Sequence, residues 1–92
     1  MIRHKPVHKR KIDTGEQLIY RFANDFGASV ICGPYSYGGD EGLWELAVLK
    51  FNGPTWNDFD LTYDTPITSD VKGHLGVLAV DALLDRIEKL PT

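Results

Sequence analysis

Two kinds of side chain in this sequence could act as a nucleophile and its base. Cys32 is the single cysteine, and His74 with a nearby aspartate could complete a catalytic triad. Such a triad needs the thiol within hydrogen-bonding distance of the imidazole, together with an oxyanion hole. Cys32 instead follows Val30 and Ile31 in an apolar stretch, where a cysteine usually packs as a small hydrophobic side chain. We therefore predict a non-enzymatic protein with no catalytic residue.

Three motifs could bind ions, and each lacks part of the pattern that its ligand requires. His4 and His8 have the spacing of metal ligands on a helix, but Pro6 lies between them and basic residues flank them. Positions 58–64 are rich in aspartate without the glycine and distal glutamate of a calcium loop. The glycine-rich stretch 33–42 lacks the lysine of a phosphate-binding loop and carries acids instead. We predict no metal site and no cofactor.

The surface that we predict to bind a partner combines aromatic and acidic side chains from two loops. Tyrosine and tryptophan pair an apolar ring with a polar tip, which makes them common anchors at interfaces. If loops 33–42 and 52–58 lie at one edge of the sheet, they form a single acidic aromatic surface. Its members are Tyr35, Tyr37, Asp40, Glu41, Trp56 and Asp58. The two tyrosines could equally fold back over the sheet edge and cover the core.

Charge is distributed unevenly along the 92 residues, whose formal net charge is −3. The first eleven residues carry five cations and no acid: Arg3, Lys5, Lys9, Arg10 and Lys11. The remaining residues carry five cations against all thirteen acids, a net −8. Because Pro6 disfavours a helix, we predict a basic flexible tail over residues 1–12 and a single α+β domain over 13–92. The tail could contact nucleic acid or be a solvated end.

Four strands are predicted to position the loops. Apolar and polar residues alternate over 17–23, and an apolar stretch at 28–32 follows a turn rich in Asn, Asp and Gly, so these two segments predict a hairpin. Residues 43–51 are apolar on both faces, which predicts a central strand with Trp44 in the core. Residues 59–63 alternate apolar and polar side chains, which predicts a fourth strand with an acidic, solvated face.

A C-terminal helix is predicted from the spacing of its apolar residues. Those residues are Val80, Leu83, Leu84, Ile87 and Leu90. Asp85 and Lys89 lie on the other side with the i,i+4 spacing of an ion pair, and Pro91 ends the helix. Ser69 and Asp70 predict a short helical turn before it. The fold class is therefore α+β, an antiparallel four-stranded β-meander with the helix packed on one face.

Composition places limits on where the protein works. A hydrophobic fraction of 42% and a charged fraction of 25% are ordinary for a globular protein, and no apolar run approaches the ~20 residues that span a bilayer. The N-terminus lacks the apolar stretch of a secretory signal, and one cysteine cannot form an internal disulfide. We therefore expect a cytoplasmic protein that does not bind membranes.

Two strings carry a resemblance to a known group of proteins. One runs Gly-Pro-Tyr-Ser-Tyr-Gly-Gly-Asp-Glu-Gly-Leu-Trp-Glu-Leu-Ala-Val-Leu from Gly33, and the other runs Tyr-Asp-Thr-Pro-Ile-Thr-Ser-Asp-Val from Tyr63. Over residues 18–90 the chain resembles small uncharacterised proteins encoded by bacteriophages and prophages. The resemblance implies a phage accessory protein that works inside a bacterial host cell. It implies no site residue, because that group has no catalytic motif.

Three functional hypotheses remain open at this point. The first is a protein-binding module that uses the acidic aromatic surface against a basic surface on a host or anti-phage defence protein. One form of this hypothesis is an inhibitor that imitates the charge of nucleic acid. The second is a nucleic-acid accessory factor that uses the basic tail. The third is a binder of a small ligand such as a nucleotide, with its site at the interface of a homo-oligomer because so small a chain has little interior volume.

Overall fold

The computed structural model describes residues 2–12, 15–32, 43–62, 65 and 72–91. These residues form six strands and one helix: β1 (His8–Ile12), β2 (Gly15–Arg21), β3 (Phe26–Cys32), β4 (Trp44–Phe51), β5 (Phe59–Leu61), β6 (Lys72–Leu75) and α1 (Val77–Glu88). Strands β1 to β5 pair in chain order, and β6 pairs with β4, all antiparallel. The predicted α+β class, with an antiparallel sheet and a C-terminal helix, is confirmed.

The sheet has more strands than the four predicted from the sequence. β1 adds a strand before the predicted hairpin, and β6 adds one where a weak helical turn was expected around residues 69–76. Ser69 and Asp70, on which that turn was predicted, lie outside the described residues. β6 pairs with the first half of β4 and β5 with its second half, while β3 pairs along the opposite edge. β4 is therefore flanked on both sides, as its apolar sequence predicted.

Both faces of the sheet carry apolar side chains. Alternate residues of β2, β3 and β4, including Tyr20, Val30 and Leu46, pack with α1 in the larger cluster. The intervening residues Ile19, Leu49 and Phe51 form a smaller cluster on the opposite face, which Trp56 and Phe59 cover. Loop 52–58 therefore closes a second, smaller core, while the helix closes the first.

The apolar spacing of the C-terminal helix is confirmed, and the turn between β2 and β3 caps its end. The five residues that predicted the helix are all buried. The Asn24 side-chain amide donates hydrogen bonds to the carbonyl oxygens of Ile87 and Leu90, both at 2.9 Å. The Ile87 carbonyl also accepts from the Leu90 amide at 3.1 Å, so the turn adds a second donor there and supplies one to Leu90. Asp25 in the same turn has a φ of 65°, which agrees with the turn chemistry of the sequence.

The basic N-terminal residues differ most from the sequence prediction, which placed a flexible tail over 1–12. Residues His8–Ile12 form β1, and the register runs from His8 opposite Ile19 to Ile12 opposite Gly15. The Arg10 Nε donates to Gln17 Oε1 at 2.6 Å, which offsets part of the cost of ordering a charged strand. The prediction of a flexible tail is therefore corrected for this segment. Elsewhere, no helix in the described part of the chain is long and apolar enough to cross a membrane.

Candidate functional site

The helix covers part of the sheet, and the N-terminal segment (residues 2–7) runs beside it. α1 packs on β3, β4 and β6, while the Val7 amide donates to the Ile19 carbonyl of β2 at 2.7 Å. Ile2 packs against the larger core cluster, and the His4 ring meets the Phe22 ring edge to face at 5.3 Å. The segment therefore covers the part of the β2 face that the helix leaves open.

Ion pairs and hydrogen bonds fasten this segment to α1. The Arg3 amide donates to both carboxylate oxygens of Asp81, at 2.8 and 3.1 Å, and its Nε lies 3.3 Å from the same group. Asp81 is only 4% exposed, so this carboxylate depends on Arg3 for its charge-assisted bonds. One turn later, Asp85 accepts from the Arg3 guanidinium at 2.7 Å and lies 2.8 Å from His4 Nε2. The hydrogen bonds from His4 and then Arg3 lower the pKa of Asp85 below its ordinary value.

A cavity of about 290 Å³ lies between the N-terminal segment, the β1–β2 pair and the start of α1. Its apolar lining comes from Ile2, Pro6, Leu18, Trp44 and Val77. Its polar lining comes from His4, Lys9, Glu16 and Tyr20. Ligand sites typically combine a predominantly apolar wall with a few polar groups, and this cavity has that composition.

The Tyr20 hydroxyl is the unusual group in this cavity. Tyr20 is 1% exposed, and its hydroxyl makes no hydrogen bond with any residue in the described part of the chain. Within that part, no side-chain oxygen or nitrogen is both fully inaccessible and unpaired, so the remaining accessible surface of Tyr20 includes its hydroxyl. Since Tyr20 also lines the cavity, we infer that its hydroxyl faces it.

The surroundings of this hydroxyl disfavour its ionised form. Burial, followed by the negative charges of Asp81 and Glu16, raises the pKa of Tyr20 to about 12. At neutral pH the group is a neutral phenol, as an ordinary tyrosine would be, and it can donate or accept a hydrogen bond. It has no protein partner in the described residues.

The charges at the cavity rim balance each other. In the β1–β2 register Lys9 lies opposite Leu18, and Glu16 is two residues before Leu18 on the same face. These exposed side chains have opposite charges and both line the cavity. The formal charges of Lys9 and Glu16 therefore cancel.

Two of the six residues predicted to form the acidic aromatic surface are described, and both have partners within the fold. Trp56 is half-buried and stacks on His8, with ring centroids 3.7 Å apart and planes 5° from parallel. Asp58 accepts a hydrogen bond from the Thr55 amide at 3.0 Å, and the bonds from Thr55 lower the pKa of Asp58. The other four, Tyr35, Tyr37, Asp40 and Glu41, lie outside the described residues.

The five cations proposed for nucleic-acid contact divide between internal and external positions. Arg3 binds the helix carboxylates, and Arg10 binds Gln17 and lies 5.5 Å from the Trp56 ring centroid. Lys5, Lys9 and Lys11 are exposed, and Lys9 also lines the cavity. The two arginines therefore contribute to holding β1 and the N-terminal segment in place.

The metal and nucleophile candidates are positioned as follows. His4 contacts the helix, whereas His8 stacks on Trp56 on the opposite face of the sheet. The two histidines therefore do not form a shared metal site. Ligand atoms of His4, Asp85 and Glu88 lie within 4.8 Å of one another. The Arg3 guanidinium already contacts Asp85, and His4 Nε2 lies against the same carboxylate, so we assign His4 and Asp85 to anchoring.

The remaining candidates are the nucleophile and its base. Cys32 is half-buried at the end of β3, and His74 is exposed on β6.

The cavity was not predicted from the sequence because its residues come from five separate parts of the chain. They belong to the N-terminal segment, β1, β2, β4 and the first residue of α1, and no spacing within one segment marks them. The one available signal was Tyr20, a polar-tipped aromatic residue on the buried face of a strand.

Comparison with known proteins supplies no relative for this chain. No family model matches the sequence, and neither a curated protein nor a solved structure matches it. The resemblance to phage-encoded proteins therefore stays a prediction, and arguments about function rest on the geometry of the chain itself.

Proposed function

We propose that this protein is a non-enzymatic binding module and that the cavity beneath the N-terminal segment holds a small ligand. The observation that carries the proposal is the Tyr20 hydroxyl, which opens into the cavity without a hydrogen-bond partner among the described residues. The volume of about 290 Å³ is at the lower end of the roughly 300–1,000 Å³ of ligand sites. The ligand is accordingly a compact molecule.

A hydrogen bond to the Tyr20 hydroxyl supports this proposal. The hydroxyl keeps some accessible surface and has no partner among the described residues, so it can bond a ligand. A ligand with an acceptor group would gain one hydrogen bond, worth about 0.5–1.5 kcal/mol net, and the apolar contacts of Leu18, Trp44 and Val77. Ordered water could also satisfy the hydroxyl, and the experiment below distinguishes the two.

This proposal moves the small-ligand hypothesis from an oligomer interface to the interior of one chain. The protein-binding hypothesis rests on six residues, of which the two described ones, Trp56 and Asp58, already have partners in the fold. Of the five cations in the nucleic-acid hypothesis, two, Arg3 and Arg10, already make contacts within the fold. Both therefore have less support from geometry than the cavity has.

A fragment screen with a cavity-blocking variant tests the proposal. The Val77→Phe substitution places a ring in the cavity from the first residue of α1. The Leu78→Phe substitution is the matched control, because Leu78 is the next residue and is 85% exposed. Binding of small aromatic fragments is measured by ligand-observed NMR, and thermal unfolding verifies that both variants fold.

We expect fragments to bind the wild-type chain and the Leu78→Phe variant and to lose binding to Val77→Phe. Equal binding to all three proteins would place the fragments elsewhere and would contradict the proposal. The same holds if no compact fragment binds the wild-type chain, since the cavity would then be a hydrated packing defect.

A further inference from the structure

We infer that the ligand of this cavity is a neutral, planar amide, the chemistry shared by a carboxamide on an aromatic ring and by the lactam edge of a nucleobase. This inference rests on the proposed function, because it specifies what the cavity binds. Three properties of the lining lead to it: its charge balance, its hydrogen-bonding groups, and its aromatic rings.

The charge balance favours a neutral ligand. Lys9 and Glu16 are the two formal charges of the lining, and they have opposite signs. Asp81, which acts on Tyr20 from nearby, has its own counter-charge in Arg3 at 3.3 Å. A charged ligand would lose hydration without a surplus charge to pair with, and burying an unpaired charge is costly.

The hydrogen-bonding groups favour an amide. The Tyr20 hydroxyl is a neutral phenol that can donate a hydrogen bond, and a carbonyl oxygen on the ligand can accept it. Two carboxylates, Asp81 and Glu16, act on this hydroxyl, so an anionic acceptor would be repelled and a neutral carbonyl would not. Glu16 also lines the cavity and can accept from an N–H group. A carbonyl beside an N–H group satisfies both residues with one functional group.

The shape of the ligand follows from the rings in the lining. His4, Tyr20 and Trp44 contribute three aromatic rings, and Leu18 and Val77 contribute apolar contacts. Aromatic rings pack best against other rings, in stacked or edge-to-face arrangements. A flat ring that carries the amide makes these contacts within a volume of about 290 Å³.

Four probes of similar size separate these properties. Benzamide is the neutral planar amide, benzoate and benzamidinium are its anionic and cationic counterparts, and toluene has the ring alone. Each is titrated against 15N-labelled wild-type, Tyr20→Phe and Val77→Phe proteins at neutral pH. The readout is the indole N–H signal of Trp44, assigned with a Trp44→Phe variant, and thermal unfolding verifies the fold of each variant.

We expect wild-type protein to bind benzamide at least about tenfold more tightly than either charged probe. Tyr20→Phe should weaken benzamide about two- to tenfold, the range of one neutral hydrogen bond, and leave toluene unchanged. Val77→Phe should abolish binding of every probe.

Two results would overturn the inference, and they differ in what else they contradict. If the charged probes bind as tightly as benzamide, or Tyr20→Phe leaves benzamide unchanged, while Val77→Phe still abolishes binding, then the cavity is a ligand site but the amide assignment is wrong. If no probe binds in a manner that Val77→Phe abolishes, both the assignment and the cavity as a binding site are wrong.

Discussion

Replacing Tyr20 with phenylalanine should change how the stability of this protein depends on alkaline pH. Burial of the side chain, followed by the negative charges of Asp81 and Glu16, raises the pKa of Tyr20 from 10.0 to about 12. The unfolded chain has neither the burial nor the fixed carboxylates, so there the group titrates near 10. Stability that depends on the protonated phenol is therefore fully present below pH 10 and is lost as the pH rises through about 12.

The size of the effect follows from the two pKa values. At pH 11 most unfolded chains have lost the Tyr20 proton while most folded chains keep it, which lowers the free energy of unfolding by about 1 kcal/mol. At pH 12 the loss reaches about 2 kcal/mol. Tyr20→Phe removes this contribution completely. At neutral pH the substitution should change stability by less than about 1 kcal/mol, because the hydroxyl has no hydrogen bond to lose among the described residues.

Urea unfolding monitored by tryptophan fluorescence at pH 8, 10 and 11 measures this difference. The other tyrosines and the lysines titrate in both proteins, so their effects cancel when the variant is subtracted from the wild type. We expect the difference to grow by about 1 kcal/mol between pH 8 and pH 11 in favour of the variant. Parallel curves would show that the hydroxyl titrates as if in water, and the description of the cavity would then be wrong.

Three other substitutions test the anchoring of the N-terminal segment and the packing of β2 against β3. Asp81→Ala should destabilise the fold by about 1–3 kcal/mol in urea unfolding, because the Arg3 amide and guanidinium lose a nearly buried acceptor. The control Glu88→Ala, on the exposed side of the helix, should have little effect. Equal losses of stability in the two variants would contradict the anchoring role of Asp81. Asp85→Asn should make the stability of the fold depend less on pH below about 4, because a carboxyl group with a lowered pKa stabilises the fold only while it is ionised. An acid-unfolding curve identical to that of the wild type would count against the ion pair with Arg3. Gly27→Ala should cost more than about 3 kcal/mol, since a Cβ there would meet the backbone oxygen of Tyr20 at 1.9 Å, and a folded variant of near-normal melting temperature would refute this.

Local sequence patterns were sufficient to predict the strands and the helix in which buried residues recur at regular intervals. Alternation over 17–23 and the continuous apolar run of 43–51 predicted β2 and β4, and the helical spacing around Leu84 predicted α1. In each case the buried face follows from the periodicity of one segment, and no distant partner is needed to recognise it.

The patterns failed where the partner of a charged residue is far away in sequence. Asp85 has the spacing of a helical ion pair with Lys89, yet the structure pairs it with Arg3 and His4, which lie 82 and 81 positions away. The same long-range contacts order the basic N-terminal residues, which composition alone predicts to be a solvated tail. A count of local charges does not reveal that acids at the other end of the chain neutralise Arg3.

The cavity follows from the difference in thickness between the two segments that cover the sheet, which are α1 and residues 2–7. A helix is about 10 Å in diameter and strands lie about 4.8 Å apart, so one helix covers about two strands. α1 packs on β3, β4 and the short β6, so residues 2–7 cover the β1–β2 side. Those residues are a single non-helical chain, thinner than a helix, so they enclose that side without filling it. The space beneath them is therefore inherent in the architecture, and Tyr20 is the residue whose hydroxyl opens into it.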